Sequence, residues 1–173
     1  MVLKIVKYGD PVLETPCKPV ADSEFGSRKL KKLVNNMFET MYDAEGVGLA
    51  APQVAILKRL TVIDCSLGED PEEKLVFINP TIVETAGKQD GEEGCLSIPG
   101  FREAVKRPRF VLARAQDVNG EWFEIEAEDL LARAVCHEND HLDGVLFLTH
   151  ISRLKRELIK RKIRALRKKD EWD

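Results

Sequence analysis

His137-Glu138-Asn139-Asp140-His141 is an H-E-x-x-H run inside a stretch of helical periodicity that extends from about Glu128 to Leu142 and stops near Gly144. On a helix, residues four apart point the same way, so the two imidazoles can grip one metal ion while Glu138 stands beside a metal-activated water. A helix, a candidate ligand pair and a candidate proton-transfer group are thereby set together. Two ordinary histidines on a solvated face are the plain alternative. The helical context weakens it, as does the presence of only three histidines in the chain. Because two histidines make a poor site, a third ligand must come from elsewhere, leaving the fourth position open for water.

Downstream, Glu157, Glu171 and His150 are the available candidates, none in a convincing context. Upstream, Glu92-Glu93-Gly94-Cys95-Leu96-Ser97 places a cysteine in a Gly-flanked turn, where a thiolate can approach closely and a main-chain N–H is free to donate. Taken alone, such a cysteine is more often a small buried hydrophobe. A third segment, Gly46-Val47-Gly48-Leu49-Ala50-Ala51-Pro52-Gln53, combines small residues with one long neutral amide. Its glycines let backbone approach a ligand, and Gln53 can donate or accept without carrying charge. By itself it is an ordinary turn leaving a helix.

The rest of the chain supplies a frame. A length of 173 residues with 43% hydrophobic content suits one domain over 1–173. No stretch approaches the roughly 20 apolar residues of a membrane span, and the N-terminus lacks a signal-peptide pattern, so a soluble cytoplasmic protein without membrane contact is expected. Cys17, Cys65, Cys95 and Cys136 are irregularly spaced, which argues against a disulfide framework or a four-cysteine zinc site. Apolar residues at Leu30, Leu33, Val34, Met37 and Met41 predict a helix over Ser27 to Tyr42. Short strands are predicted over Arg59 to Asp64, Leu75 to Asn79 and Thr81 to Thr85, with Asn79 and Pro80 separating the last two. Phe110 to Asp117 and Glu121 to Ala127 flank Asn119-Gly120, a tight-hairpin signal. Strands in the middle, not interleaved with crossover helices, predict an α+β fold with antiparallel sheets.

A last helix, about Ser152 to Lys169, is a candidate appendage. It carries ten basic residues against one acid, a local charge of +9 on a body of −12, and such asymmetry points first to nucleic acid. Ile151, Leu154, Leu158 and Leu166 fall in one arc, with Arg153, Lys160, Arg164 and Arg167 opposite.

GVGLAAPQ, EGCLS and HENDH, in this order and at these separations, closely resemble the three signature motifs of peptide deformylases. The resemblance extends from Gly9-Asp10-Pro11-Val12-Leu13 to the run Leu142 to Phe147. It implies a metal held by Cys95, His137 and His141, with water as fourth ligand, on a central helix enclosed by β-sheets. The implied reaction hydrolyses the N-formyl amide of N-formylmethionyl peptides and nascent chains. Glu138 would be the acid and base, and Gln53 and the Leu96 backbone N–H would steady the formyl oxygen. Gly46 and Gly48 would cramp the site, Leu130 and Ala134 would wall a methionine pocket, and Val47, Arg102 and the Glu93 backbone would hold the substrate. Arg107 and Asp140 resemble the family's structural pair.

Fe2+ is implied as the native ion. Zn2+, Ni2+ and Co2+ also suit one thiolate and two imidazoles. The family also implies a basic C-terminal helix and tail, here residues 152–173, that contacts ribosomal RNA near the exit site; a monomer is the default. Cys136 stands where the family commonly has Gln, and on a helix it is turned about 100° from His137, away from the ligand set. The competing readings are a zincin-like metallopeptidase, which needs a third ligand downstream, and a non-enzymatic metal-stabilised RNA-binding module, which needs a closed four-ligand site.

Overall fold

In the computed structural model, which describes residues 1–172, the first helical repeat forms α1, Arg28–Asp43. Asp173, the last residue of the expected domain and tail, lies outside the described residues. Ser27 caps α1 by accepting the Leu30 N–H at 3.2 Å, which satisfies a first-turn donor that the helix cannot pair internally.

Seven strands follow: β1 (Gly48–Ala50), β2 (Leu60–Ile63), β3 (Leu75–Ala86), β4 (Glu92–Gly94), β5 (Arg102–Ala104), β6 (Phe110–Gln116) and β7 (Trp122–Glu128). Two further helices, α2 (Asp129–Leu142) and α3 (Arg153–Arg167), complete the order. Five strands make one antiparallel sheet in the order β1-β2-β3-β6-β7, and β4 and β5 form a separate two-stranded ribbon.

Strand alternation places the two large helices. Leu60, Val62 and Ile78 face the α1 residues Val34, Met37 and Met41, while Ile63 and Phe77, one residue out of phase, face Ala132, Val135 and Cys136 of α2. Because both faces are covered, β2 is buried along its whole length. Beyond α2, a third cluster of Leu13, Ile98, Val105, Phe147, Ile159 and Ile163 lies beneath the ribbon, and Phe147 stacks on His137 with ring centres 6.4 Å apart. The metal-binding candidate helix is therefore central, and the α+β arrangement agrees with the sequence reading.

Two local expectations are corrected. Asn79-Pro80 does not separate two strands: β3 runs through, with a register shift between Ile78 and Thr81 opposite β6. Asn79 takes φ 51°, and its side chain accepts from the Val20 N–H at 2.8 Å and donates to the Val20 carbonyl and to Gln116 Oε1. The bulge puts Pro80, which has no N–H, where the ladder is already interrupted.

Asn119-Gly120 closes the tight hairpin expected there, between β6 and β7. The Gly120 N–H closes on the Asp117 carbonyl at 3.1 Å, and of the pair only Gly120 has positive φ. The Asp117 carboxylate accepts from the N–H groups of Asn119 and Glu121, and this local bonding holds the turn.

The last helix is no appendage, and its inner arc differs from the expected one. Ile159 and Ile163 are its buried residues, while Leu154 and Leu158 are 71% and 49% exposed. Lys160 is half-buried, and Arg167 donates to the Tyr8 carbonyl. Trp172, past the helix, is buried in the same cluster and donates to that carbonyl at 3.1 Å. Deleting one large buried side chain costs about 2–5 kcal/mol, so three of them approach the whole stability of a typical domain, about 5–15 kcal/mol.

Candidate metal centre

His137 and His141 sit one turn apart on α2, both buried, with Nε2 atoms 3.2 Å apart. Cys95, just past β4, brings its Sγ to 3.3 Å from His141 Nε2, and the three donor atoms all lie within 4.8 Å of one another. Ligand bonds of about 2.0–2.1 Å to nitrogen and about 2.3 Å to sulfur in a tetrahedron would set N–N near 3.3 Å and N–S near 3.6 Å. The observed separations fit such an ion.

The ring orientation of His137 fits as well. His137 Nδ1 donates to Glu93 Oε1 at 2.7 Å, which leaves Nε2 as the lone-pair face directed at His141. Two such nitrogens at 3.2 Å repel unless a cation or a shared proton lies between them. Burial and the facing His137 hold His141 well below the usual imidazole range. His137 is driven the other way: burial opposes its charge, but the Cys95 sulfur and the Glu93 carboxylate outweigh burial. Downstream, Glu157, Glu171 and His150 do not join the cluster; the group found among the described residues is Cys95, His137 and His141. That leaves a zincin-like arrangement without its third ligand.

Glu138 is 4% exposed, its carboxyl is pushed up to about 7 by burial, and Oε2 has no hydrogen-bond partner among the described residues. A carboxyl poised near neutrality suits a group that must both take and give a proton. The backbone of β1 lies against it: a Cβ on Gly48 would come within 2.4 Å of Glu138 Oε1. Gln53 is buried, and its Oε1 accepts from the Ala50 N–H at 2.9 Å. This turns its Nε2 toward Ser97 Oγ (3.2 Å) and Cys95 Sγ (3.5 Å), on the side of the site.

Gly48, Gln53, Cys95, His137 and Glu138 line one cleft of about 670 Å³, within the usual range for a small-molecule or peptide-end site. Gly46, Val47 and Gly48 form one wall, Glu93 and Leu96 another, and Ala134 stands one turn before the histidines. Arg102 and Leu130 also line the cleft but are exposed, Leu130 by 51%, which places them at the rim. Arg107 pairs with Asp140 at 2.7 Å. Cys136 is buried with Ile63 and Phe77, and burial pushes its thiol up to about 11.

The sequence reading missed two features. The side chain of Glu93, not only its backbone, meets His137, and Arg133, four residues before His137 on the same helix face, reaches that carboxylate at 2.9 Å. The spacing of Arg133 was the available signal. Nothing local marks the Glu93 side chain as buried.

Comparison with known proteins gives these motifs a lineage. The family model for polypeptide deformylase matches residues 2–157. The peptide deformylase of Acidobacterium capsulatum is 56% identical over 172 residues, covering 99% of each chain. That of Clostridium botulinum is 58% identical over 144 residues, covering 83% of this chain and 92% of the relative. Among solved structures, a peptide deformylase from Legionella pneumophila superposes with a TM-score of 0.90 at 42% identity, over 100% of this chain and 99% of that one. Sequence, architecture and cleft thus agree that the chain belongs to the polypeptide deformylase family, hydrolases that remove the N-formyl group from the N-terminal methionine of newly made polypeptides.

Proposed function

We infer that this chain carries out that hydrolysis as a single catalytic domain over 1–173, holding one divalent ion through Cys95, His137 and His141, with Glu138 moving the protons. The observation that carries the reading is the convergence of three donor atoms beside a buried, unpaired carboxyl. When bound, the ion acidifies a water molecule and draws charge toward the formyl oxygen. Glu138 accepts the proton of the attacking water and passes it to the leaving nitrogen, so that formate and a free amine result. The Gln53 amide and the Leu96 backbone N–H donate to the formyl oxygen as it gains charge, and losing one such donor typically costs about 10²–10³ in rate. Val47, Arg102 and the Glu93 backbone hold the peptide, Leu130 and Ala134 flank the methionine side chain, and Gly46 and Gly48 keep the wall tight against bulkier acyl groups. Fe2+ is the proposed native ion, with Zn2+, Ni2+ or Co2+ able to take the same donors.

The test is Cys95→Ser with metal analysis under anaerobic conditions, alongside turnover of formyl-Met and acetyl-Met peptides. The variant is expected to lose metal, and the parent to prefer formyl by orders of magnitude. Unchanged metal content in Cys95→Ser, or equal turnover of the two peptides, defeats the reading.

The proposed setting is the cytoplasm, as a monomer docked on the ribosome. Its support is chemical. The four cysteines are free thiols, no helix among the described residues is long and apolar enough to cross a membrane, and α3 turns Arg153, Arg161, Lys162 and Arg164 outward. Changing Arg161, Lys162 and Arg164 to Glu should abolish salt-sensitive ribosome binding while short formyl peptides are still cleaved. Ribosome affinity unaltered at two salt concentrations would remove the docking role.

A further inference from the structure

The metal-binding candidates come from two separate elements, joined by the packing of Ile98 and Val105 with Phe147, which stacks on His137, and by buried polar contacts. Cys95 follows β4, which pairs only with β5, and a two-stranded ribbon is marginal by itself. His137 and His141 belong to α2. The spacing between thiol and imidazoles therefore depends on whatever ties ribbon to helix.

Arg133 is one of those ties. Its side chain is 8% exposed, and its Nη1 donates both to Glu93 Oε2 on β4 at 2.9 Å and to the carbonyl of Val105, just past β5, at 2.8 Å. One nitrogen thus grips both sides of the ribbon from a point one helical turn before His137. Arg107 secures the far end, bridging Glu93 and Asp140. The four charges, Glu93, Asp140, Arg107 and Arg133, balance. The grip also has a cost: Arg133 Nη2 is buried with no partner among the described residues, pressed where a Cβ on Gly91 would stand 3.0 Å away. For stability alone, a well-packed apolar side chain would serve as well as a guanidinium with an unpaired N–H. A buried charge that stability does not require calls for another role.

We propose that Arg133 is a positioning residue that sets the distance between Cys95 and the two histidines, and so governs how firmly the ion is retained. The inference rests on the ligand assignment above. Removing this tie leaves Glu93 held by Arg107 and His137 but gives up the helix's direct grip on the Val105 carbonyl, so that Cys95 becomes the less firmly placed ligand. Loss of groups that orient metal ligands typically costs 10–100-fold in metal affinity.

The test uses full-length protein loaded with Co2+, following transfer of the ion to a chelator together with the thiolate-to-cobalt absorption and the thermal melt. Arg133→Met is expected to release cobalt about 10–100-fold faster, with a weakened thiolate band, while still melting cooperatively. Arg133→Lys, which keeps the charge but not the fork, should lie between. A folded Arg133→Met protein that releases cobalt at the parental rate overturns the proposal. If that variant does not fold, Arg133→Lys decides by the same criterion: faster release supports the role and the parental rate refutes it. Failure of the ligand assignment is separately visible, because the parent protein would then bind less than one cobalt per chain or show no thiolate band.

Discussion

Gly48→Ala isolates the carboxylate from the metal. Gly48 has no positive φ, so alanine fits its backbone without strain, and the only issue is space. The added Cβ would lie 2.4 Å from Glu138 Oε1, 2.9 Å from Cδ and 3.0 Å from Cγ. Ordinary carbon contacts begin at about 3.5 Å, so the carboxylate has to retreat by roughly 1 Å. Because Glu138 is only 4% exposed, that retreat is into packed surroundings and carries the carboxylate off its line to the substrate. A displacement of about 1 Å at a reacting group costs on the order of 10² in rate, equivalent to about 2.7 kcal/mol of barrier. The ligand atoms are untouched, so metal content should stay at the parental level. The assay is formate release from a formyl-Met peptide, with metal per chain measured on the same sample. Activity within about threefold of the parent, or a fall matched by loss of metal, would refute the assignment of the close contact to catalysis.

Glu138→Gln should keep its metal while turnover drops by about 10²–10⁴, since the amide cannot carry the proton; metal loss would show Glu138 to be a ligand. Burial pushes the thiols of Cys17, Cys65 and Cys136 up to about 11, so at pH 8 each holds about 100-fold less thiolate than an unperturbed cysteine. Alkylation of these three, followed by mass spectrometry, should be slow to that degree, and rapid labelling of Cys136 would contradict its buried position. For Asp64, burial opposes ionisation, but hydrogen bonds from Ser66, Tyr42 and Gly68 outweigh it and lower the carboxyl. A folded value below the unfolded one gives stability that is present above the unfolded range, near pH 4, and is lost as pH falls from there through the lower, folded value. Asp64→Asn should therefore flatten the acid limb of the stability curve below about pH 4, and an unchanged acid limb would sink the idea.

The parts of the fold carried by short-range periodicity were legible from residues alone. α1 and α2 follow from repeats of three and four, and H-E-x-x-H sets two imidazoles on one face before any tertiary contact exists. Cys95 was harder. A glycine-flanked cysteine 46 residues from His141 gains its meaning only when ribbon and helix meet, and the family motif supplied that link. Asn79 looked like a strand breaker because its partner, Val20, lies 59 residues away. The inner face of α3 was misread for a similar reason. Several arcs of that helix contain apolar residues, and contact with Ile98, Val105 and Trp172 selects Ile159 and Ile163 over Leu154 and Leu158. Arg133 was hidden by its chemistry, since a charged residue on a helix is read as solvated until a buried partner is found.

The burial of Ile159, Ile163 and Trp172 beside Ile98 and Val105 has a consequence for how the protein is made. Synthesis runs from the N-terminus, so the clusters on either side of the five-stranded sheet have all their residues available while the chain is still growing. The cluster behind Cys95 closes later, because Ile159, Ile163 and Trp172 follow every member of those two clusters in the chain. In an enzyme whose substrates are chains still under construction, the packing behind the thiol is therefore completed after both faces of its own sheet.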